Sequence, residues 1–197
     1  MKERKTSAPL TDRFCEALDF ATRLHAEQRR KVSGTPYIAH LLAVAAMVIE
    51  HGGDEDEAIA ALLHDAIEDQ GGEAARQEIR RRFGDRVVEI VEGDTDADTV
   101  PKPPWRERKE SFIERLRHAS PSARLLTAAD KLHNVRCLTR DLRLHGGDLW
   151  QHFHGGRDGT LWYYRAVLDT LKQHGPCPIV DELERAVSEL ERAAHYR

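Results

Sequence analysis

Apolar residues recur at three- and four-residue spacing along most of the chain, which predicts one helix after another. The first predicted helix begins at Thr11 or Asp12, and its apolar positions are Phe14, Ala17, Leu18, Ala21 and Leu24. Further helices are predicted over about 38–51, 54–70, 73–83, 86–93, 105–119, 121–144, 159–174 and 179–195. No segment shows the strict two-residue alternation that is typical of a half-buried strand. The pattern therefore predicts an all-α bundle of about eight to ten helices.

Glycine and proline separate these segments, as at Gly52-Gly53 and Gly71-Gly72. The stretch 94–105 has three prolines and a run of acidic residues, so we expect an exposed loop there. A second loop is expected over about 145–159. A chain of 197 residues suits one domain. We therefore predict a single domain over 1–197, with a motif-bearing core at about 12–145 and C-terminal helices at about 159–195.

The stretch "ALLHDAIEDQ", residues 61–70, places four ionisable side chains on a helix that is otherwise apolar. His64 and Glu68 are four residues apart, so they can share one side of a helix. Asp65 has the same spacing to Asp69. Burial of such groups beside aliphatic side chains is costly unless they are paired. A solvated acidic helix end would explain this stretch alone, but a cation and a polar substrate would explain it as well.

Two further segments favour a metal site. His40 lies near the start of the second predicted helix, and Asp130 stands inside the apolar helix "LLTAADKLHNVRCL", residues 125–138. Together, His40, His64, Asp65 and Asp130 would supply two imidazoles and two carboxylates. This set leaves room for water on an octahedral ion such as Mn²⁺ and is less typical of a closed zinc site. We expect one divalent ion, with Zn²⁺ or Fe²⁺ as alternatives.

Four motifs together resemble a known family. The segments "EQRRKVSGTPYIAH", "ALLHDAIED", "VEGDTD" and "AADKLHN" are similar to successive motifs in the hydrolase domain of the RelA/SpoT homologues, especially their small stand-alone members. The resemblance covers roughly residues 12–145. It implies an all-helical HD phosphohydrolase that removes the 3′-pyrophosphate of the alarmones ppGpp and pppGpp, usually with manganese.

The resemblance also implies roles for individual residues. By motif, His40, His64, Asp65 and Asp130 would be the metal ligands. Glu68 and Asp69 match an "ED" pair that activates or orients the attacking water. Asn134 matches an asparagine near the ribose, and Arg30 and Lys31 match a basic patch associated with the base and phosphates.

Other functions stay open at this point. The same metal site would serve an HD phosphohydrolase acting on an adenine alarmone or on the phosphate of NADPH, since the pocket walls decide the substrate. A nucleotide-binding regulator without activity is another class. The presence of all four donors and both "ED" carboxylates counts against it. Lys102, Arg106 and Lys109 either reach the far phosphates or form a solvated helix face.

Composition narrows the partners. Hydrophobic residues make up 40% and charged residues 32% of the chain, which is typical of a globular protein. A net charge of −4 argues against a nucleic-acid partner. The sequence shows no signal peptide and no apolar run long enough to cross a membrane. Three scattered cysteines favour a reducing compartment, so we expect a cytoplasmic protein that acts on a small nucleotide. The sequence leaves the oligomeric state undetermined.

Overall fold

A computed structural model describes residues 9–96 and 101–195 of the chain. Within these ranges the prediction of an all-α fold is confirmed, and the β-type pairing consists of a single bridge between Arg29 and Pro36. The ten α-helices are α1 (Asp12–Leu24), α2 (Ile38–Glu50), α3 (Glu55–Leu63), α4 (Ala66–Gln70), α5 (Glu73–Phe83), α6 (Asp85–Asp94), α7 (Trp105–Leu116), α8 (Pro121–His145), α9 (Gly156–Lys172) and α10 (Pro178–His195). A 3₁₀ helix covers Gly146–His152.

Helix α8 is the centre of the bundle. It is 25 residues long and packs against α2, α3, α6, α9 and α10. Helix α3 is short, and its residues from Ala58 to Leu63 are all buried. A helix that is apolar on every side must lie inside the protein. The end of α3 therefore delivers the next two residues, His64 and Asp65, into the interior beside α8.

The prediction of one continuous helix over 54–70 is wrong. The segment is divided into α3 and α4, and His64 and Asp65 form the turn between them. Asp65 has φ −92° and ψ −1°, a sparsely populated region where active-site residues often occur. Helical spacing alone does not reveal such a break, because the apolar positions on both sides keep the same period.

The two predicted loops also differ from the structure. In the segment 94–105, Asp94, Thr95 and Asp96 are buried rather than exposed, and residues 97–100 lie outside the described ranges. The predicted loop at 145–159 contains the 3₁₀ helix, and α9 begins within it at Gly156. Proline and acidic residues predicted solvent exposure, but partners elsewhere in the chain keep the first part of the segment 94–105 inside.

Gly93 explains how Asp94 reaches the interior. A Cβ atom at this position would lie 2.5 Å from Cβ of Ala123 on α8, closer than two such atoms can approach. The missing side chain thus lets α6 pack tightly against α8. Asp94, the next residue, then lies within hydrogen-bond distance of Thr127 on α8.

In the described part of the chain, no helix combines the length and the apolar character that crossing a bilayer requires.

Candidate metal centre

The structure brings the four predicted metal donors together from three places in the chain. His40 comes from α2, His64 and Asp65 from the turn after α3, and Asp130 from α8. Nε2 of His40 lies 3.1 Å from Oδ1 of Asp130 and 3.6 Å from Oδ2 of Asp65. Nε2 of His64 lies 3.0 Å from Oδ2 of Asp65 and 3.5 Å from Oδ1 of Asp130. Each of the two imidazole nitrogens therefore lies 3.0–3.6 Å from both carboxylate oxygens.

The two imidazole nitrogens that face the carboxylates lack a hydrogen-bond partner. Nε2 of His40 and Nε2 of His64 are both buried and make no hydrogen bond of acceptable geometry. Buried polar atoms are nearly always satisfied, so two orphans facing two carboxylates need an explanation. A divalent cation fits this donor set, since imidazole and carboxylate are both ordinary ligands of such ions.

Further contacts hold the same side chains in place. Nδ1 of His64 lies 2.9 Å from the carbonyl oxygen of Ala61, and Nδ1 of His40 lies 2.7 Å from Nδ1 of His133. The Tyr37 hydroxyl donates to Oδ2 of Asp65 at 2.7 Å. Supporting contacts of this kind orient metal ligands and fix the histidine tautomer.

A further support comes from α8 itself. The Asn134 amide nitrogen donates to Oδ1 of Asp130 at 2.6 Å, one helical turn away. The Asn134 amide oxygen in turn accepts a hydrogen bond of 2.7 Å from Arg30. Asn134 and Arg30, which the motifs associate with substrate, are thus linked directly to a proposed ligand.

The charges around the donor side chains favour the binding of a cation. Burial lowers the pKa of His40, which keeps its imidazole neutral and able to bind a metal. Burial opposes the charged form of His64, but the adjacent Asp65 and Asp130 carboxylates raise its pKa well above the usual value. Burial would raise the pKa of Asp130, yet the Lys131 ammonium and both histidines lower it. Two carboxylates that stay ionised inside the protein attract either a proton on His64 or a metal ion.

A cavity of about 380 Å³ opens in front of these donors. Five predicted site residues line it together with Asp65 and Asp130: Arg30, Lys31, Glu68, Asp69 and Asn134. His40 and His64 lie behind this wall, and each is at most 2% exposed. A cavity of this size accommodates a ligand as large as a nucleotide.

Glu68 and Asp69 lie on α4 and face this cavity with different surroundings. Glu68 accepts hydrogen bonds from Lys102 at 2.9 Å and from the backbone amide of Asp96 at 3.2 Å. Asp69 accepts a 2.7 Å hydrogen bond from Gln28. Burial and the nearby Asp65 carboxylate raise the pKa of Asp69. A carboxylate with a raised pKa accepts a proton more readily near neutral pH.

The cations flanking the site divide into two groups. Lys102 contacts Glu68, and Lys109 lines the cavity and contacts Asp96 at 2.9 Å. Arg106 instead stacks on the ring of Trp162, 3.3 Å from its centroid, and is not part of the cavity wall. Of the three cations singled out in this segment, Lys109 alone lines the cavity, and Lys102 reaches it through Glu68.

Sequence reasoning missed several residues of the site. Asp94, Asp96, Lys131 and Tyr37 line the cavity, although the resemblance of the motifs implies no role for them. Asp94, His64 and Asp130 form a second group whose donor atoms lie within 4.8 Å of one another. The signal was present, since Asp94 and Asp96 belong to "VEGDTD" and Lys131 follows Asp130. Their roles depend on contacts between different helices, and a local sequence pattern contains no information about those contacts.

The fold and the donor set together define the class. The model of the HD domain family matches residues 17–161. The human guanosine-3′,5′-bis(diphosphate) 3′-pyrophosphohydrolase MESH1 is 44% identical over 128 residues, which are 64% of this chain and 69% of the human protein. The chain therefore belongs to the HD domain family, in the branch that contains MESH1 and the hydrolase domains of the RelA/SpoT homologues.

Solved structures are also similar. One is described as a metazoan orthologue of SpoT that hydrolyses ppGpp and plays a role in starvation responses. It has a TM-score of 0.74 and 32% identity, over 95% of this chain and 97% of that one. A protein from Listeria monocytogenes has a TM-score of 0.66 and 33% identity, over 76% of this chain and 96% of that one.

Proposed function

We propose that this protein is a metal-dependent hydrolase that removes the 3′-pyrophosphate from ppGpp and pppGpp. The products would be pyrophosphate and GDP or GTP. The observation that carries the proposal is the convergence of His40, His64, Asp65 and Asp130 at the wall of a nucleotide-sized cavity. The relatives named for this activity share the same fold and support the same substrate.

The resident ion would be held by Nε2 of His40 and His64 and by the carboxylates of Asp65 and Asp130. The orphaned nitrogens and the mixed nitrogen and oxygen donors support one divalent ion. We infer Mn²⁺, because two neutral and two anionic ligands leave room for water in an octahedral shell. When bound, such an ion acidifies water and neutralises charge on phosphoryl oxygens.

Glu68 and Asp69 would activate and orient the attacking water. The reaction forms a bond from the water oxygen to phosphorus and breaks the bond from that phosphorus to the ribose O3′. The water gives up a proton, and the ribose oxygen gains one to become the 3′-hydroxyl. Asp69 is suited to accept the first proton, because its pKa is raised and its side chain faces the cavity. Glu68, fixed by Lys102 and Asp96, is suited to orient the water.

The substrate carries two pyrophosphate groups, so an acidic metal site alone would repel it. Arg30, Lys31, Lys109 and Lys131 line the same cavity and would balance this charge. Arg30 is oriented by its hydrogen bond to Asn134. We assign Arg30 and Lys31 to the base and phosphates, and Asn134 to the neighbourhood of the ribose.

The three cysteines are all free thiols, which supports the proposal that the protein acts on its small nucleotide in a reducing, cytoplasmic compartment. Retention of both the donor set and the Glu68-Asp69 pair favours an enzyme over an inactive regulator, because a binding protein needs no residues that activate water.

The deciding experiment is a product assay with the purified full chain and Mn²⁺. We expect pyrophosphate and GDP from ppGpp, and no single phosphate. The adenine analogue and NADPH are assayed at equal concentration, with His64→Ala as the inactive control. Hydrolysis of NADPH or of the adenine analogue without hydrolysis of ppGpp would remove the alarmone from the proposal. Binding of ppGpp without any turnover would instead support a regulator.

A further inference from the structure

Lys131 is a buried cation placed between two carboxylates at the back of the site. Its Nζ donates to Oδ2 of Asp130 in a short hydrogen bond and lies 3.3 Å from Oδ1 of Asp94. The Lys131 side chain is only 11% exposed. A buried ammonium is costly unless it is paired, and here it is paired twice.

The two oxygens of Asp130 serve different partners. Oδ1 lies 3.1 Å from Nε2 of His40 and belongs to the donor set described above. Oδ2 contacts the Lys131 ammonium. A carboxylate that links two metal ions in a two-metal site would be divided between two cations in the same way. Asp130 therefore has the disposition of a bridging ligand, with a lysine on its second side.

Asp94 supplies a second carboxylate beside the Lys131 ammonium. His64, Asp94 and Asp130 each offer an atom within 4.8 Å of the others. The Lys131 ammonium lies in contact with both carboxylates of this group. The first group, His40, His64 and Asp65, has no lysine or arginine nitrogen within the distance of an ion pair among the described residues. His64 appears in both groups but can serve only one, because its Nδ1 lies 2.9 Å from the carbonyl oxygen of Ala61 and its Nε2 is assigned to the first ion. The second group therefore depends on Asp94 and Asp130, and it differs from the first in that a side-chain cation already occupies it.

We propose that the Lys131 ammonium takes the place of a second divalent cation and restricts the centre to one metal ion. This inference rests on the proposed function for the first ion. Two-metal phosphohydrolases neutralise phosphate charge with a pair of ions about 3.5–4 Å apart. Here a covalently attached cation, which cannot dissociate, supplies the second positive charge at the wall of the cavity.

The surroundings hold the ammonium in this position. Nζ lies 5.1 Å from the centroid of the Phe112 ring, within the range of a cation–π contact. Oδ1 of Asp94 is fixed from the other side by a 2.8 Å hydrogen bond from Thr127. The lysine therefore faces a preformed pair of carboxylates rather than a mobile one.

The test counts Mn²⁺ ions per chain by equilibrium dialysis followed by elemental analysis. We expect about one ion in the wild type. In Lys131→Met, which keeps the length of the side chain but removes the charge, we expect about two. Paramagnetic resonance should then show spin coupling between neighbouring Mn²⁺ ions. The double variant Lys131→Met/Asp94→Asn should return to about one ion, because the second group loses a carboxylate.

One ion in Lys131→Met, or two in the wild type, would overturn the inference while leaving the proposed function intact. No ion in the wild type would contradict the proposed function itself. Circular dichroism checks the fold of each variant, and Lys131→Arg, which keeps the charge, should retain one ion. If Lys131→Met does not fold, Asp94→Asn alone decides. The inference requires that it still bind the resident ion, and loss of that ion would make Asp94 a ligand of the first site.

Discussion

The Tyr37 hydroxyl lies 2.7 Å from Oδ2 of Asp65, the same oxygen that faces Nε2 of His64 at 3.0 Å. Burial and the Asp65 carboxylate raise the pKa of Tyr37, so the phenol stays protonated and donates the hydrogen bond. The ring of Tyr37 also stacks on His25, with 5.5 Å between ring centroids. Tyr37 thus connects the end of the first helical segment to a proposed metal ligand.

Tyr37→Phe should weaken metal binding without unfolding the protein. The ring and its stacking remain, but Asp65 loses the donor that orients it. We expect the affinity for Mn²⁺ to fall by about 10- to 100-fold, as for other changes to groups that support a ligand. Titration calorimetry measures this directly, and saturating Mn²⁺ should restore most of the turnover. Unchanged affinity would mean that Asp65 is oriented by other contacts.

Removal of the metal should abolish hydrolysis. Chelation of the wild type, or His64→Ala, is expected to eliminate bound metal and almost all turnover while the helical circular dichroism persists. The reason is that Nε2 of His64 is buried without a hydrogen bond and faces only the carboxylates of the proposed site. Added Mn²⁺ should restore the chelated wild type and not the variant. Full activity in a metal-free preparation would contradict the ligand assignment.

Glu68→Gln separates metal binding from water activation. The substitution keeps the shape of the side chain but removes its charge, so metal stoichiometry should survive. We expect kcat to fall by a factor of about 100 or more, because the neutral amide would no longer hold the water in line with Asp69, and a small misplacement of a reacting group has an effect of this size. Glu89→Gln is the matched control, because Glu89 is exposed on α6. Loss of the metal in Glu68→Gln would instead make Glu68 a ligand.

Arg30→Ala should act mainly on substrate binding. Its guanidinium lines the cavity and is oriented by Asn134, so it contributes to ground state and transition state alike. We expect KM for ppGpp to rise by about tenfold or more, the value of one charge-assisted hydrogen bond, with a smaller fall in kcat. Arg81→Ala serves as control, since Arg81 is 66% exposed on α5. A fall in kcat at constant KM would assign Arg30 to the chemical step.

Asp54 provides a prediction about stability and pH. It caps α3 by accepting a hydrogen bond from the backbone amide of Glu57, whose side chain accepts one from the Asp54 amide. Asp54→Ala should lower the free energy of unfolding by about 1 kcal/mol. The hydrogen bond from Arg86 lowers the pKa of Asp54 below 3.8. The ionised cap therefore contributes fully above pH 3.8, and the contribution is lost as the pH falls through the lowered folded-state pKa.

Urea unfolding of the wild type and of Asp54→Ala at several pH values measures this difference. The difference in the free energy of unfolding between the two proteins should become smaller only at acid pH. Asp56→Ala is the control, because Asp56 also contacts Arg86, at 2.8 Å, but does not cap the helix. An equal loss in both variants would assign the effect to the ion pair rather than to the cap.

The sequence by itself determined the class of fold and singled out the four candidate metal donors. Helical periodicity is local, so nine helices were recognisable from neighbouring residues, and the one predicted over 54–70 covers both α3 and α4. His40, His64, Asp65 and Asp130 stood out because each is an ionisable group inside an apolar or motif-bearing segment. The extent of a single domain over 1–197 stays a prediction, as do the roles of the individual site residues.

Only the tertiary structure decided which groups the donors meet. Asp94 and Asp96 look like loop residues in the sequence, and they become buried because Lys131, Lys109 and Arg108 supply positive charge from other helices. The turn at His64 and Asp65 likewise depends on the fit of α3 against α8. Burial of a charge is favourable only when its partners arrive from elsewhere in the chain, and local spacing carries no information about those partners.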